Sequence, residues 1–500
     1  MTSTFHHLFS PSIKTLLDDL DRLIGPLFLV GGTVRNMLQH RELSNELNIL
    51  VSRPLAECHH RLMEGGYLSA ARSSKRHEVW TGGHSSLLLP LTTRFAPVGG
   101  REGEESEATE PVADQSPHLS HLEVSTFRHR LEHPPTVEED LLHRDLTVNA
   151  MAYAWPDGPL VDPFNGQADL AARRIRLVRG ASTLEDDPLR ALRFFRFLLQ
   201  LDGLPEEADL LVAEETPMEM IPRKKLRAEL DRLFSLPFTG PLRYPSIQRF
   251  FYSSLAQEIF IDMATPPICK TGETPANRCR RAIGLMMALT EPGPDELVPL
   301  HDLRWAALCF AMGELNCIAL EKGHTRSTLH GLSTRKIQEI LKKFRFPQRR
   351  QQCIFQILHH MDTPLVPTDR VLLRLMGNDL PLPGLFRLIH AHQVVNVREA
   401  DGEGQTEAAR SATLQLLDGQ LARVLARCQT LQKARLRPKS HELAITGGEI
   451  LDLVRQPPGA WMTALMTELL EWISHDPTRN QRAQLYERVR DWVAQRREFY

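Results

Sequence analysis

Two hydrophobic rhythms divide the chain. Before about residue 150, short apolar runs alternate with polar and glycine-containing breaks: PLFLVGG, LNILVS, SSLLLPL and LEVSTF. Runs of this length, bounded by turn formers, predict strands. The amphipathic GGTVRNML between the first two predicts a short helix, so PLFLVGGTVRNML reads as strand, tight turn, helix. From about residue 165 apolar residues recur at i, i+3 and i+4 in ADLAARRIRLV, DPLRALRFFRFLLQL and KKLRAELDRLF, which predicts helices. No comparable alternation follows residue 180, so the remainder is expected to be all-helical, with loops at TPPICKTGETP, LPLPG and EADGEGQ. Near the end TGGE, Thr446 to Glu449, is a capping-box pattern before the apolar run ILDLV.

Strands first and helices afterwards suggest separate domains rather than an alternating fold. Residues 98–120, VGGREGEESEATEPVADQSPHLS, are acidic and rich in Gly, Pro, Ser and Glu, and read as a flexible insertion. The net charge is −2, so nucleic-acid binding would have to come from local basic patches. Four exist: AARRIRLVR (171–179), RKKLR (223–227), LKKFRFPQRR (341–350) and KARLRPK (433–439). Each is either a solvated helix face or part of a track for a phosphate backbone. The seven cysteines are scattered and form no C-x-x-C pair, which predicts no disulfides, no zinc site and a reducing cytoplasm. The first residues lack a long apolar segment and no run reaches the length of a membrane span, so neither a signal peptide nor a membrane partner is expected.

Candidate chemistry sits in four places. Gly31 and Gly32 follow an apolar run and precede the predicted helix. They form either a plain tight turn or a cradle for phosphate. Glu123 alternates with apolar neighbours on a strand, and alone reads as a solvated strand residue. In EEDLLHRDLTVNAMAY (138–153), Arg144, Asp145 and Asn149 interrupt an otherwise apolar helical stretch. Arg144 could clamp a phosphate and Asp145 could accept from a ribose hydroxyl; a local salt bridge and a core Asn explain them equally well. In EDDPLRALRFFRF (185–197), Asp187 and Arg190 are three residues apart and are expected to share a helix face. They form either one intrahelical ion pair or a template for cytosine and adenine. Those two bases present an amino donor beside a ring-nitrogen acceptor, and guanine and uracil reverse that order.

Taken in order, these segments resemble the tRNA CCA-adding enzymes and bacterial poly(A) polymerases, the class II tRNA nucleotidyltransferases. FLVGGTVRNML, LEVSTFR, EEDLLHRDLTVNAMAY, LVDPFNGQADLAARRIRLV and EDDPLRALRFFRF look like the family's successive landmarks. ELAITGGEILDLVRQPPGAW looks like the tail of its compact form. The resemblance covers roughly residues 25–500 and is weakest between about 236 and 430. It implies an α+β nucleotidyltransferase head, a mixed sheet with helices, followed by an all-α neck, body and tail. The expected bounds are 1–155 for the head, 156–235 for the base-reading neck, 236–400 for the body and 401–500 for the tRNA-binding tail. The implied activity is untemplated addition of C, C and A to the tRNA 3′ end, with CTP and ATP as substrates and the tRNA 3′ end as partner. Attack of a 3′-hydroxyl on the α-phosphate would be assisted by two Mg2+ ions. By resemblance, Gly31, Gly32 and Arg35 form the triphosphate turn. Arg144, Asp145 and Asn149 hold sugar and phosphates. Asp187, Arg190 and Arg193 belong to the base-reading helix.

The sequence departs from that pattern at the metal. With one inserted residue, hydrophobic register aligns the family's Asp-x-Asp with Glu46, Leu47 and Asn48; without it, the motif falls on Asn45 and Leu47. The first register keeps Leu47 and Ile49 on one strand face. Glu46, Asn48 and Glu123 then become the catalytic set, with Glu46 and Asn48 as metal ligands in a weakened site. Asn48 offers oxygen without charge, and magnesium favours charged oxygens in strict geometry. Asn36 stands where an Asp is expected, His143 replaces the first Arg of Arg-Arg-Asp, and Lys224 replaces an acidic neck residue. The loop HRLEHPPTV (129–137) is short, a feature associated in the family with CC-only enzymes. Two readings follow: a CCA-type enzyme, impaired or limited to C addition, or a catalytically inactive RNA-binding paralogue. Poly(A) polymerase activity is a third, smaller option.

Overall fold

The first long helix shows both its start and its buried face in the sequence. Ser10 caps helix α1, Pro11–Ile24, by accepting from the Ile13 N–H, and Pro11 occupies its first turn. Ile13, Leu16, Leu17, Leu20 and Ile24 recur at helical spacing and are all buried. Full burial of each contributes roughly 1.5–3 kcal/mol. The computed structural model describes residues 5–39, 46–65, 78–81, 84–90, 121–127, 136–260, 275–289, 291–292, 298–312, 334–376, 380–400, 406–433, 443–457, 459–474 and 477–497. The acidic insertion at 98–120 lies outside them, as does most of the 129–137 loop and of the basic run at 433–439.

The strand-like runs form one mixed sheet. Its strands are β1 (Leu27–Val30), β2 (Glu46–Val51), β3 (Glu78–Thr81), β4 (His84–Pro90), β5 (His121–Thr126), β6 (Ala152–Ala154) and β7 (Leu160–Val161). The order is β3-β4-β5-β2-β1-β6-β7. Only the central β2–β5 pair is parallel; the other ladders are antiparallel. Both faces are covered. Leu47, Ile49 and Val51 pack with Leu29, Val34, Val124 and the α1 stripe. Leu50, on the opposite face of β2, packs with Val30, Phe127, Val137 and Leu141. Helix α2 (Gly32–Leu38) follows β1, and α3 (Leu55–Glu64) follows β2.

Three helical expectations are corrected. The stretch 138–153 is not one helix. Helix α4 (Val137–Leu142), started by a Thr136/Glu139 capping box, ends at His143. A 3-10 turn (Thr147–Asn149) and β6 complete the stretch. Helix α5 is Gly166–Ala171 only; Arg173 then turns left-handed at φ 53°, which breaks the helix. Arg174–Ile175 forms strand β8, which pairs with β9, Leu204–Pro205. Among the described residues beyond 180, the regular elements are helices except for β9. Helix α6 is Ala181–Asp186 and α7 is Leu189–Leu201, so Asp187 precedes α7 and does not share a helix face with Arg190. Pro188, with its fixed φ, separates the two helices.

The chain divides into two units. One holds Met1–Ile221, Gly240–Ser246 and Ser253–Leu255; the other holds the rest, from Pro222 on. Within the second unit, helices Arg223–Phe234, Leu300–Met312 and Gln348–His359 surround Trp305. The Trp305 ring makes edge contacts with Phe234, Phe344 and Phe346. Thr446 and Glu449 form the expected capping box at the start of Gly447–Val454. The head of mixed sheet and helices and the mostly helical remainder match the expected fold class.

Candidate active site

The turn between β1 and α2 is built for close approach. Gly31 has φ 62° and ψ −127°, a conformation only glycine adopts readily. A Cβ on Gly31 would lie 3.2 Å from Arg144 Nη1, so that guanidinium rests against the bare backbone. A Cβ on Gly32 would lie 3.4 Å from Arg35 Nη2 and 3.9 Å from Asn48 Nδ2. Three polar side chains distant in sequence therefore meet at this turn. Thr33 fixes it to the next strand: its Oγ1 accepts from the Asn48 N–H at 3.1 Å.

Asn48 and Glu123 are paired residues of the parallel β2–β5 ladder. Leu47, Ile49 and Val124 are fully buried, so Asn48 and Glu123 lie on the alternate face. Glu46 opens β2 opposite His121, and its side chain lies outside the described residues. Among the described residues no group of three or more His, Cys, Asp and Glu could hold a metal ion. The described donors, one carboxylate and one carboxamide, do not fit a two-metal centre, because they bring one negative charge to two dications.

A second network lies beside the turn. Arg35 is buried; its Nη1 donates to Asn149 Oδ1, and its Cζ is 5.2 Å from the Phe197 ring centre. Asn149 Nδ2 donates to Asp145 Oδ1 at 3.3 Å, and the Leu146 N–H donates to the same oxygen at 2.9 Å. Arg193 Nη2 is 2.8 Å from Asp145 Oδ2. Burial pushes the Asp145 carboxyl up, but Arg193, Arg190 and the Asn149 and Leu146 donors outweigh it and hold the pKa at about 2. Asp145 is thus a fixed anion with both oxygens engaged. Arg144 is held from the preceding helix, α4, by Asp140 Oδ2 at 3.4 Å.

Arg190 is buried and spans two elements. Its Nη1 donates to the Thr183 carbonyl at 3.1 Å and its Nη2 to the His143 carbonyl at 2.7 Å. Asp187 accepts from the Leu189 N–H at 3.2 Å and forms no direct ion pair with Arg190. The structure therefore brings Gly31, Gly32, Arg35, Asn48 and Arg144 together, and links Asn149, Asp145 and Arg193 to them through Arg35. Thr33, Asp140 and Phe197 were missed from the sequence. Asp140 was within reach of the i,i+4 rule, being four residues before Arg144.

Residues 27–176 match the family described as poly A polymerase head domain. The multifunctional CCA protein of Methylococcus capsulatus is 44% identical over 121 residues, 23% of this chain and 26% of that protein. The CCA-adding enzyme of Pseudomonas putida is 30% identical over 217 residues, 43% of this chain and 48% of that protein. The chain thus spans about a quarter to a half of the length of these curated relatives. The Bacillus stearothermophilus CCA-adding enzyme in complex with CTP shares the fold at TM-score 0.59 and 16% identity, covering 98% of this chain and all of that one. The Thermotoga maritima CCA-adding enzyme complexed with tRNA aligns at TM-score 0.50 and 18% identity, with 97% of each chain covered. The mixed sheet with its helices and the helical remainder define the fold class, that of these solved enzymes. Residues 27–176 thus carry a poly A polymerase head domain, and the curated relatives similar to this chain are named CCA proteins and CCA-adding enzymes. Enzymes with this head generally use a divalent metal. No helix among the described residues is long and apolar enough to cross a membrane. Cys58, Cys279, Cys309, Cys353 and Cys428 are free thiols.

Proposed function

We propose that this protein is a tRNA nucleotidyltransferase of the CCA-adding type, which extends tRNA 3′ ends from CTP and ATP without a template. The observation that carries this reading is the convergence of Arg144, Arg35 and Asn48 on the Gly31–Gly32 turn. Backbone N–H groups at the bare turn cradle phosphates, and Arg144 clamps them. Asp145 and Asn149 set the positions of Arg193 and Arg35. Asp187 and Arg190 flank the place where a base is read. In this reading the head covers 1–155, the neck 156–235, the body 236–400 and the tail 401–500. A cytoplasmic location follows from the substrate and the free thiols.

Mg2+ is the expected metal, and its site is weakened by Asn48. That favours two variants of the reading: an enzyme impaired or limited to C addition, or an inactive paralogue that binds RNA. Incorporation of labelled CTP and ATP into tRNA lacking its 3′ CCA, with magnesium and then manganese, separates them. Incorporation of both nucleotides supports full CCA addition. C alone points to the short loop at 129–137. No incorporation by a protein that still binds the tRNA overturns the enzyme reading and supports the paralogue.

A further inference from the structure

At the far end of α2 from the glycine turn, a cleft of about 430 Å³ opens in the first unit. Helix α2 has seven residues, so at 1.5 Å per residue its two ends lie about 10 Å apart. Gln39 at its C-terminus, Arg173, Arg174, Gln200, Asp202 and Arg243 supply the cleft's polar lining. None of them belongs to the candidate active site. The volume lies within the roughly 300–1,000 Å³ of small-ligand pockets.

The charges in this cleft are unevenly matched. Asp169, at its wall, is neutralised by Arg176 at 2.9 Å and accepts from Thr147 Oγ1 at 2.6 Å. Arg173 and Asp202 pair at 3.6 Å, each held in a left-handed backbone conformation. Two cations remain. The Arg174 side chain has no hydrogen-bond or ion-pair partner among the described residues. Arg243 spends only its Nε, on the Leu199 carbonyl at 2.8 Å, which leaves both Nη groups to the cleft. Gln200 accepts from Arg196 at 2.8 Å through Oε1, leaving its amide N–H groups as donors. Asp202 Oδ1 and Gln39 Oε1 are buried without partners. Unpaired guanidiniums call for an anion, and a buried orphan carboxylate oxygen calls for a hydroxyl donor.

We propose that this cleft is a second binding site that takes a ribose-phosphate unit. Arg174 and Arg243 hold the phosphate, the Gln200 amide assists, and Asp202 Oδ1 accepts from a ribose hydroxyl. Such a unit comes from an RNA backbone or from a free nucleotide. The RNA source rests on the function proposed above, whereas the site itself does not. Recognition through phosphate and 2′-hydroxyl favours RNA without reading its sequence.

The test uses the full chain, as wild type, Arg174→Glu and Arg174→Ala/Arg243→Ala. Binding of tRNA lacking its CCA is followed by fluorescence anisotropy over a salt series. CTP stoichiometry is measured by equilibrium dialysis. If the source is RNA, the double variant binds tRNA about tenfold more weakly and its salt slope flattens by about two. If the source is a free nucleotide, CTP stoichiometry falls by one site per chain, whatever the glycine turn binds, and tRNA binding is unchanged. Unchanged tRNA affinity, salt slope and CTP stoichiometry overturn the proposal. Arg174→Glu breaks no recorded contact and keeps the test valid if the double variant unfolds. Both readouts are equilibrium binding, so a chain that incorporates no nucleotide still answers the question.

Discussion

Asn48 and Glu123 stand opposite one another across the one parallel ladder of the sheet, on the face away from Leu47 and Ile49. A carboxamide therefore faces a carboxylate where the proposed chemistry would need paired negative charge. Replacing Glu46→Asp together with Asn48→Asp restores that charge at the spacing of the strand. The double variant is expected to bind Mn2+ more tightly by electron paramagnetic resonance titration. It should also incorporate CTP into truncated tRNA at least about 10²-fold faster, the scale set by misplacing a reacting group by an ångström. An unchanged Mn2+ titration would show that the aligned register is wrong. Tighter binding without faster incorporation would move the defect to the 129–137 loop.

Gly31→Ala is expected to damage both fold and binding. At φ 62° and ψ −127° a side chain costs about 1–3 kcal/mol. Its Cβ would also press on Arg144 Nη1 at 3.2 Å. Urea denaturation should show that loss, and CTP affinity should fall with it. Gly32→Ala serves as the contrast: it meets Arg35 Nη2 at 3.4 Å and carries no positive φ, so its stability loss should be smaller.

Asp145 makes stability depend on pH in acid. Its folded pKa, about 2, is depressed below the ordinary 3.8. The stabilisation is therefore fully present above pH 3.8 and is lost as pH falls through about 2. It amounts to about 2 kcal/mol, from the shift between 3.8 and about 2. The stability gap between wild type and Asp145→Asn should shrink by that amount between pH 5 and pH 2. A gap that stays flat in denaturant titrations would mean that Arg193 does not hold the carboxylate.

The head was legible where physics is local. The rhythm of PLFLVGGTVRNML gave β1, the turn and α2, and the alternation of Leu47, Ile49 and Val51 matches their burial in one core cluster. Two losses had different causes. The left-handed turn at Arg173 and the Pro188 break are decided by tertiary fit and a ring constraint, which a 3.6-residue period does not register. The partners of Arg190 are backbone carbonyls at Thr183 and His143, and a carbonyl has no signature in the sequence. Asp187 and Arg190 thus looked like a helical pair because only their spacing could be read.

Arg350 ties three helices of the second unit together. Its Nη1 and Nη2 reach the Asp231 carboxylate at 2.7 and 2.9 Å, its Nε reaches Asp302 Oδ1 at 2.8 Å, and Trp305 Nε1 donates to Asp231 at 2.8 Å. Asp302 is only 4% exposed, so removing its cation strands a buried charge. Arg350→Ala should destabilise the protein by about 3–5 kcal/mol in denaturant unfolding. Arg350→Lys should recover less than half of this, because an ammonium does not span two carboxylates as a planar fork does. Full recovery by Lys would reduce the cluster to a point charge.

Arg190 is expected to carry two roles that substitution can separate. Each of its Nη groups donates one proton to a carbonyl, from Thr183 or His143, and keeps a second for a ligand. In the proposed function, a guanidinium so anchored would face the ring nitrogen of cytosine or adenine. Arg190→Ala should lower stability and also narrow the preference for CTP and ATP over UTP and GTP. Arg190→Lys keeps the charge but loses the fork, so it should recover stability better than selectivity. The decisive readout is the ratio of kcat/KM for CTP over UTP, or of equilibrium affinities if turnover is absent. A ratio unchanged in both variants would leave Arg190 a purely structural tie between α7 and the chain that follows α4. A ratio that collapses in the Arg190→Lys variant while its stability stays near normal would assign base selection to the guanidinium itself.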